Sequence, residues 1–274
     1  MTHTLRKLSG GLVPYWTPYA PKGAPKAVFR NTKQGQGRQV VYFPSCTTRS
    51  MGPSALDPDQ RGLFEATMSV LAKAGYDVIF PGKMRDLCCG LTLESKGMHA
   101  DADRKSRELE AVLREVSHNG AIPILCDASP CLYTMRCKME PGLTLHEPVG
   151  FIHDFCLPYL DIDRLPETVA IHVSCSSVKM GLNAKFTALA ERCARQVVVP
   201  RGIHCCGFAG DRGFFYPELN ASALADLRGQ LPATTTSGYS NSRTCEIGLS
   251  YHGGVPYQSI VYLVDRASRV KAAK

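Results

Sequence analysis

Twelve of the 274 residues are cysteine, and two adjacent pairs, Cys88-Cys89 and Cys205-Cys206, each run directly into a glycine. Core packing gives no reason for thiols to occur side by side twice, so the recurrence points to chemistry at sulfur. Thiols can pair as disulfides, attack an electrophile or bind a metal as thiolates. A disulfide framework is disfavoured, because the N-terminal stretch lacks the apolar run of an export signal and the cytosol keeps thiols reduced. No Ser/His/Asp order and no glycine-rich phosphate loop stands out, which leaves hydrolase and nucleotide-binding readings unsupported. Metal binding is the leading expectation.

Each pair has a lone cysteine before and after it, in the same order. Cys46 precedes Cys88 by 42 positions and Cys131 follows Cys89 by 42, while Cys175 precedes Cys205 by 30 and Cys245 follows Cys206 by 39. The candidate ligands are therefore Cys46, Cys88, Cys89 and Cys131 in one set, and Cys175, Cys205, Cys206 and Cys245 in the other. Such separations exclude a compact ferredoxin run or a simple zinc finger. Neighbouring strand-end loops could supply them.

Ser129-Pro130-Cys131 predicts an N-cap serine, a first-turn proline and a thiol at the second helical position, and Ser242-Arg243-Thr244-Cys245 predicts a thiol at the third. The positive end of a helix favours a thiolate at both places. Gly90 and Gly207 predict a tight turn that lets backbone N–H groups approach inorganic sulfide. Cys137, Cys156 and Cys193 read as small buried hydrophobes, while Cys126, at a strand end beside Asp127, is open between packing and a ligand or redox role. His204 reads as a residue beside the site, and Arg85, Asp211 and Arg212 as charges that offset a cluster or pair with each other.

The elements that must hold these thiols also repeat. Residues 38–160 and 167–270 each open on an apolar run ending near a cysteine, Val40 to Cys46 and Val169 to Cys175. An amphipathic helix follows, over residues 62–74 or 182–195; in the second, Phe186, Leu189, Ala190 and Cys193 form one stripe. Next come a short strand (77–80 or 196–199), the Cys-Cys-Gly loop, and a helix best marked by Leu109, Val112, Leu113 and Val116. A third strand, at 122–126 or 233–236, leads to the last cysteine. The pattern predicts an α/β fold of two tandem βαβ-rich repeats with mainly parallel sheets, ligands lying at the strands' carboxyl ends.

Composition sets the outer limits. The chain is 44% hydrophobic and 20% charged, enough for a sizeable core, and no run of about 18 uncharged apolar residues suggests a membrane span. A cytoplasmic location, at most touching the inner face of the membrane, is expected. The net charge of +8 is concentrated in residues 1–56, which carry eight Lys and Arg and no acid. Within them, the basic, proline-bearing residues 1–37 read as a linker or wrapping arm, and no nucleic-acid partner is expected.

The doubled order Cys, Cys-Cys-Gly, helical Cys resembles the cysteine-rich (CCG) domain family, which includes the B subunit of heterodisulfide reductase, the iron–sulfur subunit of glycolate oxidase and lactate-utilisation iron–sulfur proteins. The segments Asp127 to Cys131 and Cys205 to Gly213 look closest to the C-terminal iron–sulfur region of FAD-dependent, cytochrome-type D-lactate dehydrogenases. The resemblance spans residue 38 to the C-terminus. It implies one or two [4Fe–4S] clusters relaying electrons from a flavin, reduced by a D-2-hydroxy acid, toward a quinone or cytochrome. FAD would sit on a missing domain or partner subunit, so the chain alone would oxidise no hydroxy acid. Elaborate members of the family end each motif in Cys-x-x-Cys; here Ala128 and Ser242 take the first of those positions, which leaves four thiols per repeat and argues against a five-thiolate noncubane cluster. Two other functions compete: thiol–disulfide chemistry like that of heterodisulfide reductase, and a zinc-stabilised interaction scaffold.

Overall fold

The computed structural model describes residues 2–271. Its centre is two four-stranded parallel sheets with the same strand order. In the first, β1 (Arg38–Phe43) lies between β2 (Tyr76–Ile79) and β3 (Ile124–Cys126), with β4 (Leu145–His146) outside β3. In the second, β6 (Leu165–Ile171) lies between β7 (Ala194–Val198) and β8 (Thr235–Ser240), with β9 (Tyr257–Ser259) outside β8. A two-stranded antiparallel ribbon of β5 (Leu160–Ile162) and β10 (Ser268–Val270) joins the connection between the sheets to the end of the chain.

The central strands form because their residues suit a sheet covered on both faces: Val40, Val41, Tyr42 and Phe43 are β-branched or aromatic and fully buried. Parallel pairing then requires a crossover after each strand, and these carry helices. In repeat 1 they are α2 (Cys46–Ser50), α3 (Leu63–Lys73), α4 (Leu91–Glu94), α5 (His99–Val116), α6 (Ser129–Lys138) and α7 (Pro148–Phe151). Repeat 2 follows with α8 (Cys175–Lys179), α9 (Asn183–Cys193), α10 (Pro217–Ala223), α11 (Arg243–Gly253) and α12 (Ile260–Ala267). The α/β class and parallel repeats are those the sequence predicts.

One apolar core runs through both repeats, joining Val41, Leu71 and Phe151 to Ile171, Phe186 and Leu263. Helix α12 is the bridge. Nearly all of it is buried, and its Asp265 accepts from Lys73 on α3 at 2.7 Å and pairs with Arg61 at 2.8 Å. Before β1, a short helix α1 (Thr2–Leu8) and an extended arm cross both repeats. Tyr15 N–H donates to Phe214 O, Ala24 N–H to Ser50 O, and Thr32 N–H to Val78 O at the outer edge of β2.

Two local expectations fail. The third strand of repeat 2 lies at Thr235–Ser240, not 233–236. Its small polar sequence hides it, yet it is buried, and at Gly238 a Cβ would stand 2.4 Å from the Tyr257 ring. Ser129 does not cap α6. It occupies the first helical position after Ala128, and its hydroxyl reaches instead across the repeats to Ser174 at 2.7 Å and Ser176 at 2.8 Å.

Candidate metal centre

Parallel strands point their carboxyl ends the same way, so the loops that leave β1, β2 and β3 emerge side by side and bring Cys46, Cys88-Cys89 and Cys131 together. Cys175, Cys205-Cys206 and Cys245 emerge in the same way from β6, β7 and β8. The first thiol of each set opens a helix, a feature the sequence reading missed. Ser45 caps Thr48 N–H and Ser174 caps Ser177 N–H, so the Ser-Cys-x-Thr/Ser spacing carries the signal. Cys131 and Cys245 fall in the first turns of α6 and α11. Cys245 is at the third helical position as expected, though Ser242 makes no side-chain cap, while Cys131 is also at the third rather than the second, because Ala128 and not Ser129 precedes the helix.

Each Cys-Cys-Gly loop is built around its glycine. Gly90 (φ 88°) and Gly207 (φ 69°) are left-handed, and a Cβ there would stand 2.4 Å from Ala102 O and Leu219 O respectively. The turn aims backbone N–H groups at sulfur: Gly90 N–H at Cys88 Sγ, Gly207 N–H at Cys205 Sγ and Phe208 N–H at Cys206 Sγ, all at 3.4 Å. Arg49 fastens the first loop, donating to Leu87 O at 2.7 Å and to Met84 O.

The strand-end pair Asp127 and Asn241 fixes the first thiol relative to the last. Buried Asp127 accepts from Tyr42 O–H at 2.6 Å and from Ser45 N–H at 2.9 Å. Asn241, in the same place in repeat 2, donates to Ser177 Oγ and to buried Glu147, both at 2.7 Å. Burial raises the pKa of both Asp127 and Glu147.

In repeat 1 the four sulfurs close a ring of contacts, Cys46 with Cys88, Cys88 with Cys89, Cys89 with Cys131 and Cys131 with Cys46. Cys126 is a fifth member, at the end of β3 beside Cys131, its S–H directed at Ala128 O 3.9 Å away. Contact with the sulfurs of Cys126, Cys46 and Cys89 lowers Cys131 well below the usual thiol range, and contact with Cys46 and Cys89 lowers Cys88. The same contacts, with burial, push Cys46, Cys89 and Cys126 up.

Repeat 2 forms an open line. Cys175 meets Cys205, Cys205 meets Cys206, and Cys206 Sγ lies 2.9 Å from Cys245 Sγ. Cys175 and Cys205 are exposed, Cys206 and Cys245 buried. The place of Cys126 is taken by Ser240, one residue before Asn241. Burial chiefly raises Cys175, and contact with Cys206 raises Cys205.

All eight predicted ligands therefore meet their own set, and Cys126 joins the first. Cys156 and Cys193 are buried as expected, but Cys137 is exposed, since its turn of α6 faces solvent. His204 is exposed beside Cys205, and Asp211 pairs with Lys96 at 2.6 Å, linking the loops that follow the two motifs. Among the described residues, no group of three or more His, Cys, Asp or Glu stands ready to hold a single metal ion. The donor set is all sulfur, with amide hydrogens aimed at it, which suits an iron–sulfur group in chemistry. Sulfurs now in contact would part to receive one, and the thiol protons would leave.

The fold and site define an α/β protein with a thiol cluster at the strand ends of each repeat. Residues 40–136, in the first repeat, match the family model of the cysteine-rich domain, CCG. It is 24% identical over 222 residues to the C subunit of anaerobic glycerol-3-phosphate dehydrogenase from Escherichia coli K12, and equally to that of strain O157:H7. The match covers 77% of this chain, which spans about half (51%) of the length of those curated relatives. Among solved structures, Picrophilus torridus aspartate racemase aligns over 86% of this chain and 96% of its own, at 8% identity and a TM-score of 0.34. An aspartate racemase homologue from Pyrococcus horikoshii OT3 aligns over 84% and 96%, at 11% identity and 0.32. Likeness at that level carries no argument. No helix among the described residues is long and apolar enough to cross a membrane.

Proposed function

We propose that this chain is the iron–sulfur electron-transfer portion of a flavin-dependent dehydrogenase, with residues 38–160 and 167–270 as its two cysteine-rich units. The observation that carries the reading is the convergence of two matched sets of four thiols, each from three strand-end loops. Cys46, Cys88, Cys89 and Cys131 hold one cluster and Cys175, Cys205, Cys206 and Cys245 the other, each a [4Fe–4S] centre by ligand number. Such a centre supplies one-electron redox chemistry. The chain's own residues position the sulfurs, donate amide hydrogens to them and keep water from the buried members.

The curated relative's name, a dehydrogenase subunit, supports a component of an oxidoreductase complex. FAD belongs to a partner subunit or domain. The segments Asp127 to Cys131 and Cys205 to Gly213 favour D-lactate or a related D-2-hydroxy acid as the electron source, and the name of the relative makes glycerol 3-phosphate the second candidate. Electrons then leave for a quinone or cytochrome at the inner face of the cytoplasmic membrane.

Anaerobic reconstitution with iron and sulfide, followed by metal analysis and EPR of the reduced protein, tests the assignment. Iron and sulfide in equal amounts with a reducible EPR signal are expected. A folded, colourless chain that takes zinc alone overturns it. Reduction of the clusters in the presence of the flavoprotein by D-lactate, or by glycerol 3-phosphate instead, separates the two substrates.

A further inference from the structure

Beside the first thiol of repeat 1 lies an open cleft of about 350 Å³. One wall is the arm, at Pro25, Lys26 and Phe29; the other is Cys46 and Arg49, with Arg85 from the approach to the Cys-Cys-Gly loop. Three cations line it, and no acid does. Arg49 is occupied with the carbonyls of Ser45, Met84 and Leu87. Lys26 and Arg85 are exposed, and neither forms an ion pair with any described residue.

The arm holds its cations in a fixed place. Lys22 N–H bonds Pro53 O, and Gly52 N–H returns to Lys22 O. Phe29 packs edge-on against Phe64, its ring centroid 5.4 Å away, and Asn31 accepts from Phe80 N–H at 2.9 Å. Arg30 and Lys33 extend the same basic strip along the edge of β2, exposed and without ion pairs among the described residues. Elsewhere, cations such as Lys96, Arg104, Lys138 and Arg243 are paired with acids. At this cleft, charge of one sign with no acid in the lining stands where a candidate ligand reaches solvent.

We propose that this cleft and strip are the docking face for an acidic redox protein, which exchanges electrons with the chain at Cys46. The proposal rests on the electron-transfer reading above and adds which repeat meets the partner, and by what chemistry. A short-lived electron-transfer encounter needs little buried area but gains on-rate from opposed charge, and the gain is screened by salt. One electron crosses, from donor to cluster or the reverse. No bond is made or broken, and the partner's redox group is the other member of the couple.

The test uses the full reconstituted chain, reduced with dithionite and mixed by stopped flow with anionic hexacyanoferrate(III) or cationic hexaammineruthenium(III). Each takes one electron from the cluster. The anionic oxidant is expected to react faster, losing its advantage at high salt, and poly-L-glutamate is expected to block it selectively. Lys26→Glu with Arg85→Glu should slow the anionic reaction by roughly tenfold or more and leave the cationic one as fast or faster. Arg192→Glu with Arg195→Glu, an equal change of charge on exposed residues of repeat 2, should do neither. Equal effects from both pairs, equal reactivity of both oxidants, or no competition by poly-L-glutamate overturns the docking face while the clusters stand. A chain that accepts no cluster overturns the electron-transfer reading itself.

Discussion

Repeat 1 gathers its sulfurs into a closed ring with a fifth thiol behind it, whereas repeat 2 strings four along an open line that runs from exposed Cys175 and Cys205 to buried Cys206 and Cys245. The strand order, the helix-opening first thiol and the left-handed glycine are common to both. The difference comes from the lining. Repeat 1 has Phe43, Cys126 and Asp127 where repeat 2 has His172, Ser240 and Asn241. A shared backbone sets where four thiols meet, and the residues beneath decide how closely they gather and how much water reaches them. The basic cleft adds to the asymmetry by opening beside repeat 1.

The largest effect that would break the comparison is loss of a ligand at the node of each set. Cys131→Ser removes the sulfur that three others contact, and Cys245→Ser removes the partner of Cys206. Each should lower the iron content by about half, by elimination of one of two four-thiolate centres, and the remaining EPR signals should differ between the two variants. Loss of all iron from either variant would show a single shared centre instead. Next in size are the loop glycines. Gly90→Ala places a methyl 2.4 Å from Ala102 O in a left-handed turn, so denaturant unfolding should show a loss of about 3–4 kcal/mol, with Gly207→Ala close behind. A loss below about 1 kcal/mol at either would mean that the turn relaxes.

His172 separates the repeats by pH. Burial lowers its pKa from 6.5 to about 4, and its Nε2 has no hydrogen-bond partner. The folded protein refuses a proton that the unfolded chain accepts, so the contribution is whole above pH 6.5 and disappears as pH falls toward 4. Apo-protein stability should drop by about 3 kcal/mol across that window, and His172→Phe, which copies Phe43, should flatten that part of the curve. An unchanged slope in the variant would rule His172 out as the source. The smallest change is Cys126→Ser, which makes repeat 1 resemble repeat 2. Four thiols remain and the serine hydroxyl keeps a donor at the strand end, so cluster loading should be kept and denaturant unfolding of the apo chain should change by less than about 1 kcal/mol. Loss of the cluster would promote Cys126 to a ligand.

The sequence by itself determined the two sets of four cysteines, the α/β class and the repeated order of elements. Those follow from residue spacing and from β-branched runs such as Val40 to Phe43, which are local properties. It misplaced β8, because Thr235 to Ser240 owes its strand conformation to burial between β6 and β9 rather than to its own residue types. Only the tertiary structure decided that Ser129 reaches Ser174 across the repeats, that Cys126 joins Cys131, and that Lys26 of the arm stands beside Cys46. Each of these is a contact between segments far apart in the chain, except Cys126 with Cys131, and that one depends on a strand end turning its side chain toward the helix that follows. Periodicity reports which face of an element is buried, not what lies against it, and the chemistry at these thiols depends on the second.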